Sequence, residues 1–176
     1  MTELHTDVVR LVNHGQIASM DMPPGWIETA AKQYTGAGAQ SFRKFHPPDR
    51  PDAKLCFFYR GAPVSASSAR ALREVLAKPA HDLDPSEFSS LAEVLRDRSD
   101  PEQFHVRDIR TEDLKGRRLL VIEGSYERIE QDTYALLIDA DGSGRFVQEI
   151  YFMAPFIDYV TCKMDVEEAV KSIVWK

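Results

Sequence analysis

A chain of 176 residues, 43% hydrophobic and 28% charged, has the balance of an ordinary globular protein. That excludes a disordered or fibrous chain and predicts one domain over residues 1–176, since the length supports one substantial core but not two ordinary ones. The net charge of -6 argues against a nucleic-acid binder, whose phosphate contacts need a surplus of lysine and arginine.

No segment approaches a membrane span. The opening Met1-Thr2-Glu3-Leu4-His5-Thr6-Asp7 carries neither the basic region nor the apolar stretch of a signal peptide, so the expected location is the cytoplasm. Val8, Leu11 and Val12 then share a helical face with Leu4, and Asn13-His14-Gly15 offers a stop. Residues 1–14 are therefore either an N-terminal helix, over about residues 3 to 13, or an extended arm or strand. Ile17 and Met20 break strict alternation, and Pro23-Pro24, which donate no backbone hydrogen bonds, end any regular element before Trp26. Two strands are predicted over residues 40 to 46 and 54 to 60, joined by Pro47-Pro48-Asp49-Arg50-Pro51-Asp52. In the second, Leu55, Phe57 and Tyr59 point one way and Cys56 and Phe58 the other, the pattern of a central strand covered on both faces.

A helix near residues 66 to 78 follows, with Ala69, Leu72, Val75 and Leu76 on one stripe and Ser65 or Ser67 as its cap. A second begins at Asp84-Pro85-Ser86-Glu87, a capping box with proline at the first helical position, and repeats Phe88, Leu91, Ala92 and Leu95 at helical spacing. Strands then dominate. Gln103 to Thr111, Arg118 to Glu123, Tyr134 to Asp139 and Phe146 to Met153 alternate or run apolar, with turns at Leu114-Lys115-Gly116 and Asp141-Gly142-Ser143-Gly144. The last helix is predicted to start at a capping box of Asp165 and Glu168, burying Val166, Ala169, Val170, Ile173 and Val174. Consecutive strands with short turns favour antiparallel pairing, giving an α+β chain whose antiparallel sheet is flanked by helices.

Little in the polar residues reads as chemistry. Asp139-Ala140-Asp141-Gly142-Ser143-Gly144 matches the first half of a calcium loop, but Ile150 stands where a bidentate glutamate belongs and both flanks read as strands. A hairpin turn accounts for it. His5, His14, His46, His81 and His105 are unpaired at ligand spacing, and Ser65, Ser67 and Ser68 lack the glycine-flanked elbow of a hydrolase nucleophile. Gly36-Ala37-Gly38-Ala39 lacks the residues of a phosphate loop. Cys56 reads as a buried thiol, and a disulfide with Cys162 stays open. No catalytic residue, metal ligand or cofactor is therefore assigned. The run Tyr151-Phe152-Met153-Ala154-Pro155-Phe156-Ile157-Asp158-Tyr159-Val160 is richer in aromatics than one covered strand needs. It either leaves the sheet after Pro155 and shows Phe156 or Tyr159 to a partner, or covers the sheet edge as core. The partner-binding candidates are Trp26, Tyr151, Met153, Phe156 and Tyr159.

The strand running into Pro23-Pro24-Gly25-Trp26, the Leu114-Lys115-Gly116-Arg117-Arg118 approach to a strong strand, Glu149-Ile150-Tyr151-Phe152 and the closing Ala169-Val170-Lys171-Ser172-Ile173-Val174-Trp175 together resemble the PsbP-like fold family. That family includes a photosystem oxygen-evolving subunit, a Ran-binding nuclear transport factor and bacterial chaperones of type VI secretion effectors. The resemblance implies an α/β/α sandwich and binding without catalysis, although the stretch from 65 to 98 is longer than the family pattern. The resulting expectation is a non-enzymatic protein-binding domain, in its most concrete form a secretion-effector chaperone or an immunity-type protein. The alternatives are a small-molecule-binding or hydrolytic enzyme whose site is assembled from distant residues, and a structural subunit of a larger assembly.

Overall fold

The computed structural model describes residues 8–29 and 42–176. His5 and the Gly36-Ala37-Gly38-Ala39 stretch lie outside the described residues. Strands β1 (Arg10–His14) and β2 (Ile17–Asp21) pair antiparallel, with Leu11 opposite Met20. From Arg10 onward the amino-terminal segment is thus a strand and not a helix. The helical stripe that Val8 and Val12 suggested stays half exposed, while Leu11 and His14, three apart in an extended chain that turns sharply, are the residues driven inward. Gly15 closes this hairpin at φ +56.

A seven-stranded antiparallel sheet follows, in the order β3 (Ile27–Thr29), β4 (Phe42–His46), β5 (Lys54–Tyr59), β9 (Val147–Pro155), β8 (Gln131–Asp139), β7 (Arg117–Tyr126) and β6 (His105–Leu114). Lys115 and Gly116, both at positive φ, join β6 to β7 in a two-residue turn whose twist matches that of the strands. The sheet is covered on both faces, as the sequence of β5 predicted. Along β7, Leu119 and Val121 enter one apolar cluster while Leu120 and Ile122 enter another; β8 divides Tyr134, Leu136 and Ile138 from Ala135 and Leu137 in the same way. On the first face lie helix α4 (Phe156–Lys171) and a small sheet of β1, β2 and β10 (Val174–Trp175). On the second lie α1 (Ala66–Ala77), α2 (Pro85–Ser90) and α3 (Ala92–Leu95).

Capping explains the starts of the middle helices. Ser65 Oγ accepts from the amide of Ser68, and the Asp84–Glu87 box forms in full. The second predicted helix does not run through, however. It breaks at Leu91, resumes as α3 and passes through a 3-10 turn at Arg96–Ser99, with Arg96 at φ 58. The break turns Val94 rather than Ala92 into the core beside Leu91 and Leu95. The last helix also differs. It begins directly after Pro155, nine residues before Asp165, because the chain leaving β9 is already helical and the Asp165–Glu168 pair lies inside it. Val174 is not buried in that helix but half exposed in β10, which pairs with β2. The 139–144 stretch is a turn: Asp139 accepts from the amides of Gly142 and Gly144 at 3.0 to 3.1 Å, so its carboxylate closes the hairpin. Cys56 and Cys162 are separate buried thiols.

One side chain fastens the small sheet to the large one. Gln148, fully buried on β9, donates from Nε2 to the carbonyl of His14 at 3.0 Å and accepts at Oε1 from the amide of Gln16 at 2.8 Å. A Cβ at Gly15 would stand 2.3 Å from that oxygen. Gly15→Ala therefore meets both an unfavourable backbone conformation, worth roughly 1–2 kcal/mol, and displacement of Gln148. Urea unfolding should show the variant less stable by at least about that amount; an unchanged midpoint would contradict the packing described.

Candidate functional site

The carboxyl end of β9 and the start of α4 position the most distinctive surface of the chain. Pro155 has extended backbone as the helix N-cap, Asp158 supplies an acidic first turn, and the amide of Phe156 donates to the carbonyl of Glu130 at 3.2 Å. The inner face of α4 carries Tyr159, Cys162, Val166, Ala169 and Val170 into the core. Tyr159 stacks on Phe152 with ring centroids 5.5 Å apart, and Trp26 meets the same phenylalanine at 6.2 Å. Burial pushes the Tyr159 phenol well above its ordinary range.

The outer face is also apolar from Phe156 into the third turn. Phe156 is 40% exposed, Ile157 89%, Val160 71% and Met164 65%, at spacings that place them together along the helix. Ile129, 59% exposed, precedes the Glu130 that receives the Phe156 amide. Toward the carboxyl end the same face becomes charged, with Asp165, Glu168 and Lys171. Ion pairs border the apolar part: Arg50 reaches Asp158 at 3.5 Å, and Lys163 contacts Glu123 at 2.8 Å and Glu167 at 3.3 Å. A surface helix ordinarily buries one stripe and shows a polar one. An apolar centre with a polar rim is instead the anatomy of an interface.

The sequence candidates divide accordingly. Phe156 is at the exposed face. Trp26 and Tyr159 are 4% and 5% exposed and belong to the core cluster beneath it, because both rings pack on Phe152. Tyr151 and Met153 are half-buried on β9, and Tyr151 packs against the opposite cluster, under α1 to α3. The structure therefore does not bring the five together. Ile157, Val160 and Met164 were not singled out from the sequence. Their signal was the spacing 157, 160, 164 after a proline followed by an acidic residue in the first turn, which is a helix start; the capping pair Asp165 and Glu168 drew the expected start nine residues too late.

A second polar constellation lies under the other face. Glu149 on β9 is 4% exposed and held between Arg60, fully buried at the end of β5, and Arg98, 7% exposed on the 3-10 turn. Arg60 Nη2 donates to one carboxylate oxygen and Arg98 Nη1 to the other, the latter at 3.2 Å. Burial raises the affinity of Glu149 for a proton, but the charges of Arg98 and Arg60 and their hydrogen bonds outweigh it and hold the carboxyl below its ordinary value. Among the described residues, Arg60 Nε and Nη1 and Arg98 Nε find no hydrogen-bond partner. No group of three or more His, Cys, Asp or Glu among the described residues could hold a metal ion.

With the geometry in place, likeness to known proteins bears on the fold. No protein-family model matches the chain, and no curated protein matches it. The fold is similar to the solution structure of cyanobacterial PsbP (CyanoP) from Synechocystis sp. PCC 6803, with a TM-score of 0.55 at 11% sequence identity, over 100% of this chain and 97% of that chain. The chain has a PsbP-like fold. Among the described residues no helix is long and apolar enough to cross a membrane.

Proposed function

We propose that this chain is a non-enzymatic protein-binding domain, and that the apolar outer face of α4 around Ile157, Val160 and Met164 receives an apolar segment of another protein. The observation that carries this reading is the exposure of four large apolar side chains on the first turns of one helix, bordered by ion pairs. Leaving such a patch in water is unfavourable by about 25 cal/mol per Å² of apolar surface, and a partner that covers it removes that penalty. The concrete form we propose is a chaperone that holds a secreted effector, or an immunity-type protein that holds a toxin; both need an accessible apolar docking face and no reacting group.

The test is substitution within the face. Ile157→Glu and Val160→Glu together place two charges at its centre without touching the inner stripe of Tyr159, Cys162 and Val166. In affinity capture from extract of the source cells, the wild-type chain should recover a distinct polypeptide that the double variant recovers at least about tenfold less, the equivalent of 1.4 kcal/mol. The variant should keep its thermal midpoint. Equal recovery by both chains, or recovery of nothing but the chain itself, would contradict the proposal.

A further inference from the structure

On the side of the large sheet away from α4, a cleft of about 410 Å³ opens between the start of α2, the segment from Ser99 to Phe104, and edge strand β6. Leu83, Pro85, Phe88, Phe104, Val106 and Ile109 give it apolar walls. Phe104 lies on the bare backbone of Gly124, where a Cβ would stand 2.6 Å from its ring, so that wall is tightly seated. Of the polar groups at the cleft, His105 is exposed, and Asp84 and Ser99 are engaged. The Asp84 carboxylate caps α2 by accepting from the Glu87 amide at 2.9 Å and lies in the field of Lys78; Ser99 Oγ donates to the Arg96 carbonyl at 2.6 Å.

Arg98 differs. It lines the cleft, is nine-tenths buried, gives Nη1 to Glu149 and leaves Nε without a partner among the described residues. Its buried neighbourhood holds two guanidiniums, Arg60 and Arg98, against the single carboxylate of Glu149, with Arg98 lying over the Tyr151 ring at 5.7 Å; Arg96 and Asp97 beside them are exposed. One positive charge is left over next to an apolar cavity. A buried surplus charge is costly unless something answers it, and a mostly apolar cavity of a few hundred Å³ with few polar groups is the usual form of a small-molecule site. The planar guanidinium fork suits a carboxylate. A phosphate monoester, with its second charge and tight hydration, is matched by neither the walls nor the single surplus charge.

We propose that this cleft binds a small molecule with an apolar body and one carboxylate, the carboxylate pairing with Arg98 and the body lying against Phe88, Phe104 and Val106. This site is separate from the α4 face, and its failure leaves the protein-binding proposal untouched. The test uses octanoate as probe, with octylamine as the control of equal length and opposite charge, titrated against the full chain by amide NMR. Octanoate should give saturable shifts at residues 83–88 and 104–109, and octylamine none. Arg98→Met should weaken octanoate about tenfold or more. Because that variant also disturbs Glu149, Val106→Trp provides an independent check: it fills the cleft while leaving Arg60, Arg98 and Glu149 in place, and should abolish saturation. Equal shifts from octanoate and octylamine, no saturable shift from octanoate, or octanoate binding undiminished in Val106→Trp would each overturn the assignment.

Discussion

Replacing Glu149 with glutamine is expected to destabilise the chain by about 3–5 kcal/mol, the range for breaking a buried ion pair from one side. The residue stands between two guanidiniums that are almost wholly removed from water, and the neutral amide answers neither charge. The loss should appear in urea unfolding as a lowered midpoint with an unchanged slope. Removing the whole network is a different matter. With Arg60→Met, Glu149→Leu and Arg98→Met together no buried charge remains, and well-packed apolar replacements of such a network are often neutral or stabilising. The combined variant should therefore be more stable than Glu149→Gln alone; the opposite order would mean that the network is not the source of the loss. The same geometry sets an acid limit. The Glu149 carboxyl is held below its ordinary 4.5, so its contribution is complete above that pH and is lost as pH falls through the lowered folded value.

His14 sets a second pH dependence, at higher pH. Burial lowers its imidazole from 6.5 to about 4, helped by the positive charges of Arg43 and Lys176 and opposed by Glu28. The ring is 3% exposed and meets Phe57 edge-on at 5.9 Å. Above pH 6.5 the residue is neutral whether the chain is folded or not, and stability is full. As pH falls from 6.5 toward 4 the unfolded chain takes up a proton that the folded one refuses, so stability declines, by on the order of 2–3 kcal/mol at the lower end. Urea midpoints measured across that range should fall in the wild type and fall less in His14→Leu. Parallel curves for the two proteins would show that His14 is not the group responsible.

How much of this was legible in the sequence depends on the range of the interactions involved. Strands β7 and β8 were readable because Leu119 to Ile122 and Tyr134 to Ile138 carry apolar residues toward both faces, and the Lys115-Gly116 and 139–144 turns because the turn chemistry of glycine and aspartate is local. The α2 start was equally legible, since the Asp84–Glu87 box is complete within four residues. What failed was decided at long range. The break at Leu91 and the turn at Arg96 bring Arg98 to Glu149, 51 residues away, a contact that no helical periodicity encodes. Strand pairing with β2 decided the fate of β1 and β10, and Gln148 reaches His14 across 134 residues. The candidate face was half visible: Phe156 was named from its setting after Pro155, but placing the helix start at Asp165 hid the helical spacing that aligns it with Ile157, Val160 and Met164.

Photo-crosslinking from within α4 tests the docking face most directly. A photoreactive residue placed at position 160, in the source cells, should yield an adduct with a second, different polypeptide, while the same residue at position 143, on the exposed turn between β8 and β9, should yield none. Adducts of equal amount from both positions, or none from position 160, would contradict a partner seated on this helix.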